Sequence, residues 1–390
     1  MNKLILLVEP NYKAEYVPLS LMKISSWHKL KGDTIHYQKG INHFLSFTPD
    51  IIYITSLFSW DYKIVINTIN TYKNIFPKAD IKVGGICASL LPELIEKETG
   101  IKPKIGIWKE LELLNPDYSL FPNINYSIAN ASKGCIRKCL HCMVHRLEPE
   151  FFEVKNWYSY IDLSKERIVF FDNNFTACSR EHMLSVLDTC RKMNKVIDFN
   201  QAVDARLFTE ELAIAFSKCK VHPLRFSMDF IGTLEPCVNA IKLAEKYNIT
   251  DLCIYLLYNF NDTLEDFWTR CNALVQVKAD IFPMKYQPLD TLDRDTYIGK
   301  AWNKTTLANV REVTSTVFVG GIIGRGVSMK KFHEVFGKNP EEFVKLFSAS
   351  QEEFSKRVLN IKQTFNKGHM KKYKEQRKLE AFYNEGEIKC

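Results

Sequence analysis

Along the first hundred residues, short apolar runs alternate with stretches of helical period. LILLV (4–8), IIYIT (51–55) and IKVGG (81–85) read as strands, and the spacing of apolar positions predicts helices over 19–30 and 61–75. Strands alternating with helices of this length describe a parallel α/β sheet of doubly wound type, with a ligand crevice at its strand ends.

A linker follows, where Asn115-Pro116-Asp117-Tyr118 and Phe121-Pro122 interrupt any regular pattern. A second series then runs RIVFF (167–171), VIDFNQ (196–201), LRFSMDF (224–230), LCIYLLY (252–258) and IFPMKYQPL (281–289), with helices predicted over 181–193, 210–218, 234–246 and 264–277. Five β/α steps with no hairpin signal predict a partial TIM-like (β/α) barrel, which works at the C-terminal ends of its strands. Residues 301–390 read as amphipathic helices, one opening at Asn339-Pro340-Glu341-Glu342. The expected organisation is an α/β domain over 1–115, a partial barrel over 116–300 and a helical region over 301–390.

The 390 residues are 46% hydrophobic and 25% charged, the balance of a folded chain and not of a disordered one. The opening apolar run ends at Glu9, too short for a signal segment, and no stretch approaches the ~18 apolar residues of a spanning helix, so a cytoplasmic location is expected. Much of the net charge of +8 lies in Lys356, Arg357, Lys362, Lys367, Lys371, Lys372, Lys374, Arg377 and Lys378. Such a segment suits nucleic acid or an acidic redox partner, and equally a solvated basic helix.

Of 11 cysteines, three fall within KGCIRKCLHC: Cys135, Cys139 and Cys142. In a reducing compartment so tight a group is metal-binding or catalytic, whereas the dispersed ones, among them Cys87, Cys178, Cys253 and Cys390, read as packing. Thiolates suit zinc or iron–sulfur. His145, three residues beyond Cys142, could complete a Cys3His zinc site, although structural zinc sites usually split their ligands into two separated pairs. On a four-iron cluster, three thiolates leave one iron open to a substrate-like ligand.

The spacing Cys-x3-Cys-x2-Cys, with the His141 ring just before the third cysteine, resembles the signature of the radical S-adenosylmethionine enzymes. The resemblance implies a 4Fe-4S cluster whose open iron chelates the amine and carboxylate of S-adenosylmethionine, and an electron transfer that yields a 5′-deoxyadenosyl radical. It also implies a cluster loop after the first barrel strand, the place of YSIAN (126–130). Asp172-Asn173-Asn174-Phe175 is similar to the Asp-Asp-x-Phe of some branches, whose polar groups hold the methionine amine. Gln201, Asp204 and Arg206 stand where similar enzymes face the methionine carboxylate and the ribose, and Arg206 would pair with that carboxylate bidentately. Arg225, Ser227 and Asp229 share one strand face by alternation, Arg225 and Asp229 as further cofactor contacts. Tyr258 and Asn259 end the next strand, just before Thr263 and Asp266, which read as a helix cap. Met284, Lys285, Tyr286 and Gln287 end the last, with Lys285 and Tyr286 the catalytic candidates.

Pro18-Leu19-Ser20-Leu21, Pro49-Asp50-Ile51-Ile52 and Val83-Gly84-Gly85-Ile86-Cys87-Ala88-Ser89-Leu90 resemble the Rossmann-like cobalamin-binding domains that precede many such barrels. Gly84 and Gly85 would let backbone approach the cofactor, and Ser89 would cap a helix or donate to it. The Asp-x-His-x-x-Gly motif that supplies an axial histidine is absent, and the segment between Tyr37 and Pro49 is short for a corrin. With cobalamin the resemblance implies methyl transfer; without it, hydrogen abstraction that modifies, for example, a nucleotide or nucleic-acid base. A flavodoxin or ferredoxin would supply the electron. The rival is a non-catalytic zinc or iron–sulfur protein with His145 as the fourth ligand.

Overall fold

The computed structural model describes residues 2–318 and 329–364; Lys367, Lys371, Lys372, Lys374, Arg377, Lys378 and Cys390 lie outside the described residues. The chain forms two compact units. One comprises the residues up to Lys165 with Gln287–Thr296, the other Glu166–Tyr286 with the described residues from Tyr297 onward.

The first unit is built on β1 (Leu4–Glu9), α1 (Leu19–Lys29), β2 (Thr34–Lys39), β3 (Ile51–Ser56), α2 (Tyr62–Ile75), β4 (Asp80–Gly85), α3 (Ile86–Leu90) and α4 (Pro92–Thr99). Its strands form an all-parallel sheet in the order β2-β1-β3-β4, with Ile5 opposite Ile35 and Ile51. Leu6, Val8, Ile52 and Ile54 pack with Val65, Ile69 and Tyr72 of α2 on one face. Ile5, Leu7, Ile51 and Tyr53 pack with Leu21 and Ile24 of α1 on the other. Burial on both faces is why β1 and β3 read as unbroken apolar runs. The edge strand β2, TIHYQK, carries no such run because it is only half-buried, and its polar residues hide it from a reading of apolar runs.

The linker belongs to this unit. Asp117 accepts a 2.6 Å hydrogen bond from Ser25 and pairs with Lys29, both on α1. The Tyr118 hydroxyl accepts from the Ile128 amide at 2.9 Å and donates to the Tyr160 carbonyl at 3.0 Å. These bonds draw in β5 (Tyr126–Ala129), β6 (Ser132–Lys133), α5 (Val144–Leu147) and β7 (Phe152–Glu153), and the compact unit extends to Lys165.

The second unit runs β8 (Arg167–Phe170), α6 (Arg180–Met193), β9 (Val196–Phe199), α7 (Glu210–Ser217), β10 (Lys220–Val221), β11 (Leu224–Met228), α8 (Leu234–Lys246), β12 (Leu252–Tyr258), α9 (Leu264–Gln276) and β13 (Asp280–Lys285). β9 pairs with β8 and with the short β10, and β12 pairs with β11 and β13, all parallel. A single bridge from Val203 to Phe226 links the two groups. The α/β alternation is the one expected, with two differences. β10 carries too little apolar sequence to be read, and β13 stops at Lys285, because Gln287–Thr296 joins the first unit, where the Gln287 amide donates to Thr291 at 3.1 Å.

Outward-facing Phe170, Phe199 and Phe175 pack ring on ring beneath Phe216 of α7. Among the described residues, α10 (Lys304–Val317), α11 (Met329–Phe336), α12 (Pro340–Phe347) and α13 (Gln351–Thr364) follow in this unit. The caps predicted from sequence form: Asn339 accepts from the Glu342 amide at 2.8 Å, and Thr263 and Asp266 make a reciprocal box at 3.1 and 3.2 Å. No helix among the described residues is long and apolar enough to cross a membrane.

Arg270 of α9 fastens the strand ends. Fully buried, it pairs with Asp262 at 2.7 Å and donates to the carbonyls of Met228 and Leu257, while the Trp302 indole donates to the Asp262 carbonyl at 2.9 Å. Removing the cation leaves a buried carboxylate without its counter-charge, which typically costs 3–5 kcal/mol. Arg270→Met is therefore expected to lower unfolding stability by about 3–5 kcal/mol. Urea unfolding of both proteins measures it, and a loss below ~1 kcal/mol, the scale of an exposed pair, refutes the assignment.

Candidate functional site

The cysteine loop begins at Gly134, whose φ of +71° belongs to the left-handed region. A Cβ there would lie 2.1 Å from the Glu150 carbonyl oxygen, so only glycine lets the two ends of the loop approach this closely. β6 and β7 pair antiparallel across the same closure. Glu148 completes it, accepting from the Gly134 amide at 2.8 Å and pairing with Lys133 at 3.6 Å. Lys133 also reaches Glu112, which pairs at 3.3 Å with Lys23 of α1. Lys23 is 2% exposed and lies over the Tyr160 ring, and the Tyr160 hydroxyl donates to the Glu112 carbonyl.

Within this clasp sit Cys135, Cys139 and Cys142, all half-buried and none in a disulfide. The Cys142 amide donates to the Cys139 carbonyl at 3.0 Å, a turn that brings the second and third cysteines to the same bend. The Arg137 amide donates to the Cys135 sulfur at 3.4 Å. The buried Asn130 oxygen and the Nδ1 of His145 on α5 lack hydrogen-bond partners among the described residues. Among the described residues no group of three or more His, Cys, Asp or Glu side chains is gathered for a metal ion. As a donor set, three thiols on one closed loop have the chemistry of a site for a thiolate-held cluster.

The polar candidates of the second unit divide by what they touch. Asp172, Asn173 and Asn174 follow β8, Asp172 and Asn174 buried. Thr176 laces two loops together: its hydroxyl donates to Asn174 at 3.2 Å and accepts from the Asp204 amide at 3.0 Å. Gln201 is exposed. The Arg206 guanidinium takes the Asp204 carboxylate in two bonds of 2.7 and 3.0 Å, so the fork that a ligand carboxylate would use is engaged within the chain. Arg225, Ser227 and Asp229 alternate on one face as predicted, and Ser227 donates to Asp229 at 3.4 Å. Arg225, however, pairs with fully buried Asp198, which Arg167 also contacts. Asp198 is a residue that sequence reasoning missed, although alternation in VIDF sets it opposite the outward phenylalanine.

Other candidates have internal work. Tyr258 is 3% exposed and packs on Phe267 and Trp302, away from Arg225. Asn259, at φ +67°, is a bracket: its amide donates to the Tyr297 carbonyl at 3.1 Å and its oxygen accepts from Gly299 at 2.8 Å. Tyr286 is packed between Phe260 and Tyr297, whereas Lys285 at the end of β13 is half-buried. In the first unit, Gly85 has φ +109°, and a Cβ there would lie 2.1 Å from the Ser56 carbonyl oxygen, so glycine allows the close approach to β3. Ser56 donates to the Gly84 carbonyl, and Ser89 donates to the Gly85 carbonyl and accepts from Gly106. A cavity of about 400 Å3 does open at the ends of β1 and β2, but its lining is Asn11, Lys39, Gly40, Ile41, Ile64, Asn67 and Thr68.

No family model matches the chain, and no curated protein matches it. Among solved structures, the coproporphyrinogen III oxidase of Escherichia coli, a radical SAM enzyme, matches over 57% of this chain and 61% of its own length, at 12% identity and a TM-score of 0.37. Likeness at that level is too distant to transfer an activity.

The clasp has a pH signature. Burial pushes the Lys23 ammonium down from 10.5 to about 8, against the pull of Glu112. Between these values the unfolded chain holds the proton and the native state releases it, so stability rises with pH across that window. Relative to Lys23→Met, the wild type should gain up to roughly 3 kcal/mol between the lower and upper ends of the window. Denaturant unfolding of both proteins at the two ends checks it, and a constant difference counts against the assignment.

Proposed function

We propose that the chain is a radical S-adenosylmethionine enzyme in which Cys135, Cys139 and Cys142 hold three irons of a 4Fe-4S cluster. The observation that carries this reading is the spacing Cys-x3-Cys-x2-Cys on one clasped loop after a strand, with five parallel strand–helix steps following in sequence. A reduced cluster held by these cysteines would supply the one electron that breaks the sulfur–C5′ bond of S-adenosylmethionine, giving methionine and a 5′-deoxyadenosyl radical. The chain's part is to fix three thiolates by closing the loop and to offer polar groups to the ligand. Asp172, Asn173, Asn174, Gln201, Asp229 and Lys285 are proposed for the latter; Arg206 and Arg225 would have to leave their carboxylate partners to join them.

Of the two reaction types, hydrogen abstraction without cobalamin is favoured. Gly84, Gly85 and Ser89, which carry the likeness to a cobalamin domain, bond within their own sheet. A second reading is a Cys3His zinc site, favoured by the orphaned Nδ1 of His145.

Anaerobic reconstitution with iron and sulfide, then dithionite and S-adenosylmethionine with and without cobalamin, separates these readings. Release of 5′-deoxyadenosine, abolished by Cys139→Ala, is the expected result, and S-adenosylhomocysteine formed only with cobalamin would move the assignment to methyl transfer. Stoichiometric zinc with no iron would falsify the radical reading. His145→Ala is expected to retain iron; if it strips the metal, the histidine is the fourth ligand.

A further inference from the structure

Three strands of the second unit are packed on one face only. Leu224, Phe226 and Met228 of β11 and Leu252, Ile254 and Leu256 of β12 are buried. Alternation turns Arg225, Tyr255, Leu257, Phe282 and Met284 to the opposite face, where each stays partly exposed, Met284 to 41%. A filled barrel packs side chains there as well, so this face has room for a ligand. Two guanidiniums border it. Arg167 and Arg225 both pair with the fully buried Asp198, and no other carboxylate pairs with either among the described residues. Their side chains are 33% and 15% exposed, so a ligand can reach both. The buried Nε of each has no hydrogen-bond partner among the described residues, and neither fork is used up. Asp229 stands four residues beyond Arg225, and Asp280 lies two strands across from it in the register, backbone separations of about 13 and 10 Å. Beside the cations, the Tyr255 ring centroid is 5.9 Å from the Arg225 guanidinium and meets Phe282 edge-on at 5.7 Å. The Tyr255 hydroxyl donates to the Asn200 carbonyl at 3.2 Å, which fixes that ring.

We propose that this face binds the substrate, a small aromatic oxyanion whose carboxylate or phosphate sits on Arg167 and Arg225 and whose ring lies against Tyr255 and Phe282. That the ligand is a substrate rests on the radical reading above; that an aromatic anion binds does not. One carboxylate between two guanidiniums leaves room for a second anion, and a guanidinium fork takes carboxylate and phosphate alike. Tyr255 pairs with Phe282 two residues beyond the level of Arg225, about 7 Å along the strands, which is the span from a head group to the ring it carries. The anion would therefore anchor the ligand toward the start of the strands, with its ring toward their C-terminal ends, where barrel chemistry takes place.

The test titrates three probes into the full-length protein, with and without reconstitution by iron and sulfide, and follows binding by nuclear magnetic resonance: phenylacetate, phenyl phosphate and the neutral benzyl alcohol. At least one anion is expected to bind, with benzyl alcohol at least tenfold weaker, and the tighter anion names the head group. Arg167→Gln leaves Asp198 paired one-to-one with Arg225, so the fold is kept and the surplus charge removed. It should weaken the anion about tenfold and leave benzyl alcohol unchanged, while Arg167→Lys restores part of the loss. Phe282→Ser should weaken all three probes. Should Arg167→Gln fail to fold, the comparison of anion with alcohol on the wild type decides by itself. Equal affinity for anion and alcohol, no binding of either anion, or wild-type anion affinity in Arg167→Gln overturns the proposal. Because the titration needs no turnover, its failure is separable from that of the radical reading: a protein that releases 5′-deoxyadenosine yet binds neither anion refutes the anion site alone, and one that binds the anion but holds zinc and no iron refutes the radical reading and the substrate role while the site stands.

Discussion

Closure of the cysteine loop is the constraint on which the candidate chemistry depends. Three thiols can serve one cluster only if the chain between them is held in a single bend, and a loop on its own pays entropy to stay there. Gly134 permits the two ends to meet, the β6–β7 pair registers them, and Glu148 binds a backbone amide with one oxygen and Lys133 with the other. Because Glu112 continues the chain of charges to Lys23, the loop is braced against a helix of the parallel sheet and not against its own residues alone.

That bracing gives the α/β sheet of the first unit a mechanical role independent of any ligand. Its central strands β1 and β3 are buried on both faces and so form a stiff base for α1. The strand ends of the second unit are fixed by different means: Arg270 collects carbonyls from β11 and β12, Asn259 brackets the chain at Tyr297 and Gly299, and Thr176 joins the loops after β8 and β9. Each device uses a polar group buried within the unit, where a missing partner would be costly.

Much of this was legible in the sequence, and the exceptions share a cause. Apolar runs marked β1, β3, β4 and the five main strands of the second unit, since burial on helix-covered faces writes itself into composition. The half-covered edge β2 and the two-residue β10 left no such mark. The three cysteines announced their loop by spacing, but Lys23 and Glu112 are distant in sequence, and they and the nearby Glu148 look like ordinary surface charges. The packing of Tyr258 had a signal in the sequence: in LCIYLLY it shares its face with the buried Leu252, Ile254 and Leu256. Arg206 and Arg225 show the limit of residue type, since a guanidinium suited to a ligand carboxylate is equally suited to Asp204 or Asp198.

The cluster of Asp198 with Arg167 and Arg225 has one more implication. A single carboxylate between two guanidiniums leaves these three groups with a surplus positive charge, and guanidinium does not release its proton in any medium a cell offers. That surplus is local to the three groups, because Asp229 stands on the same strand face as Arg225 and offsets it across the face as a whole.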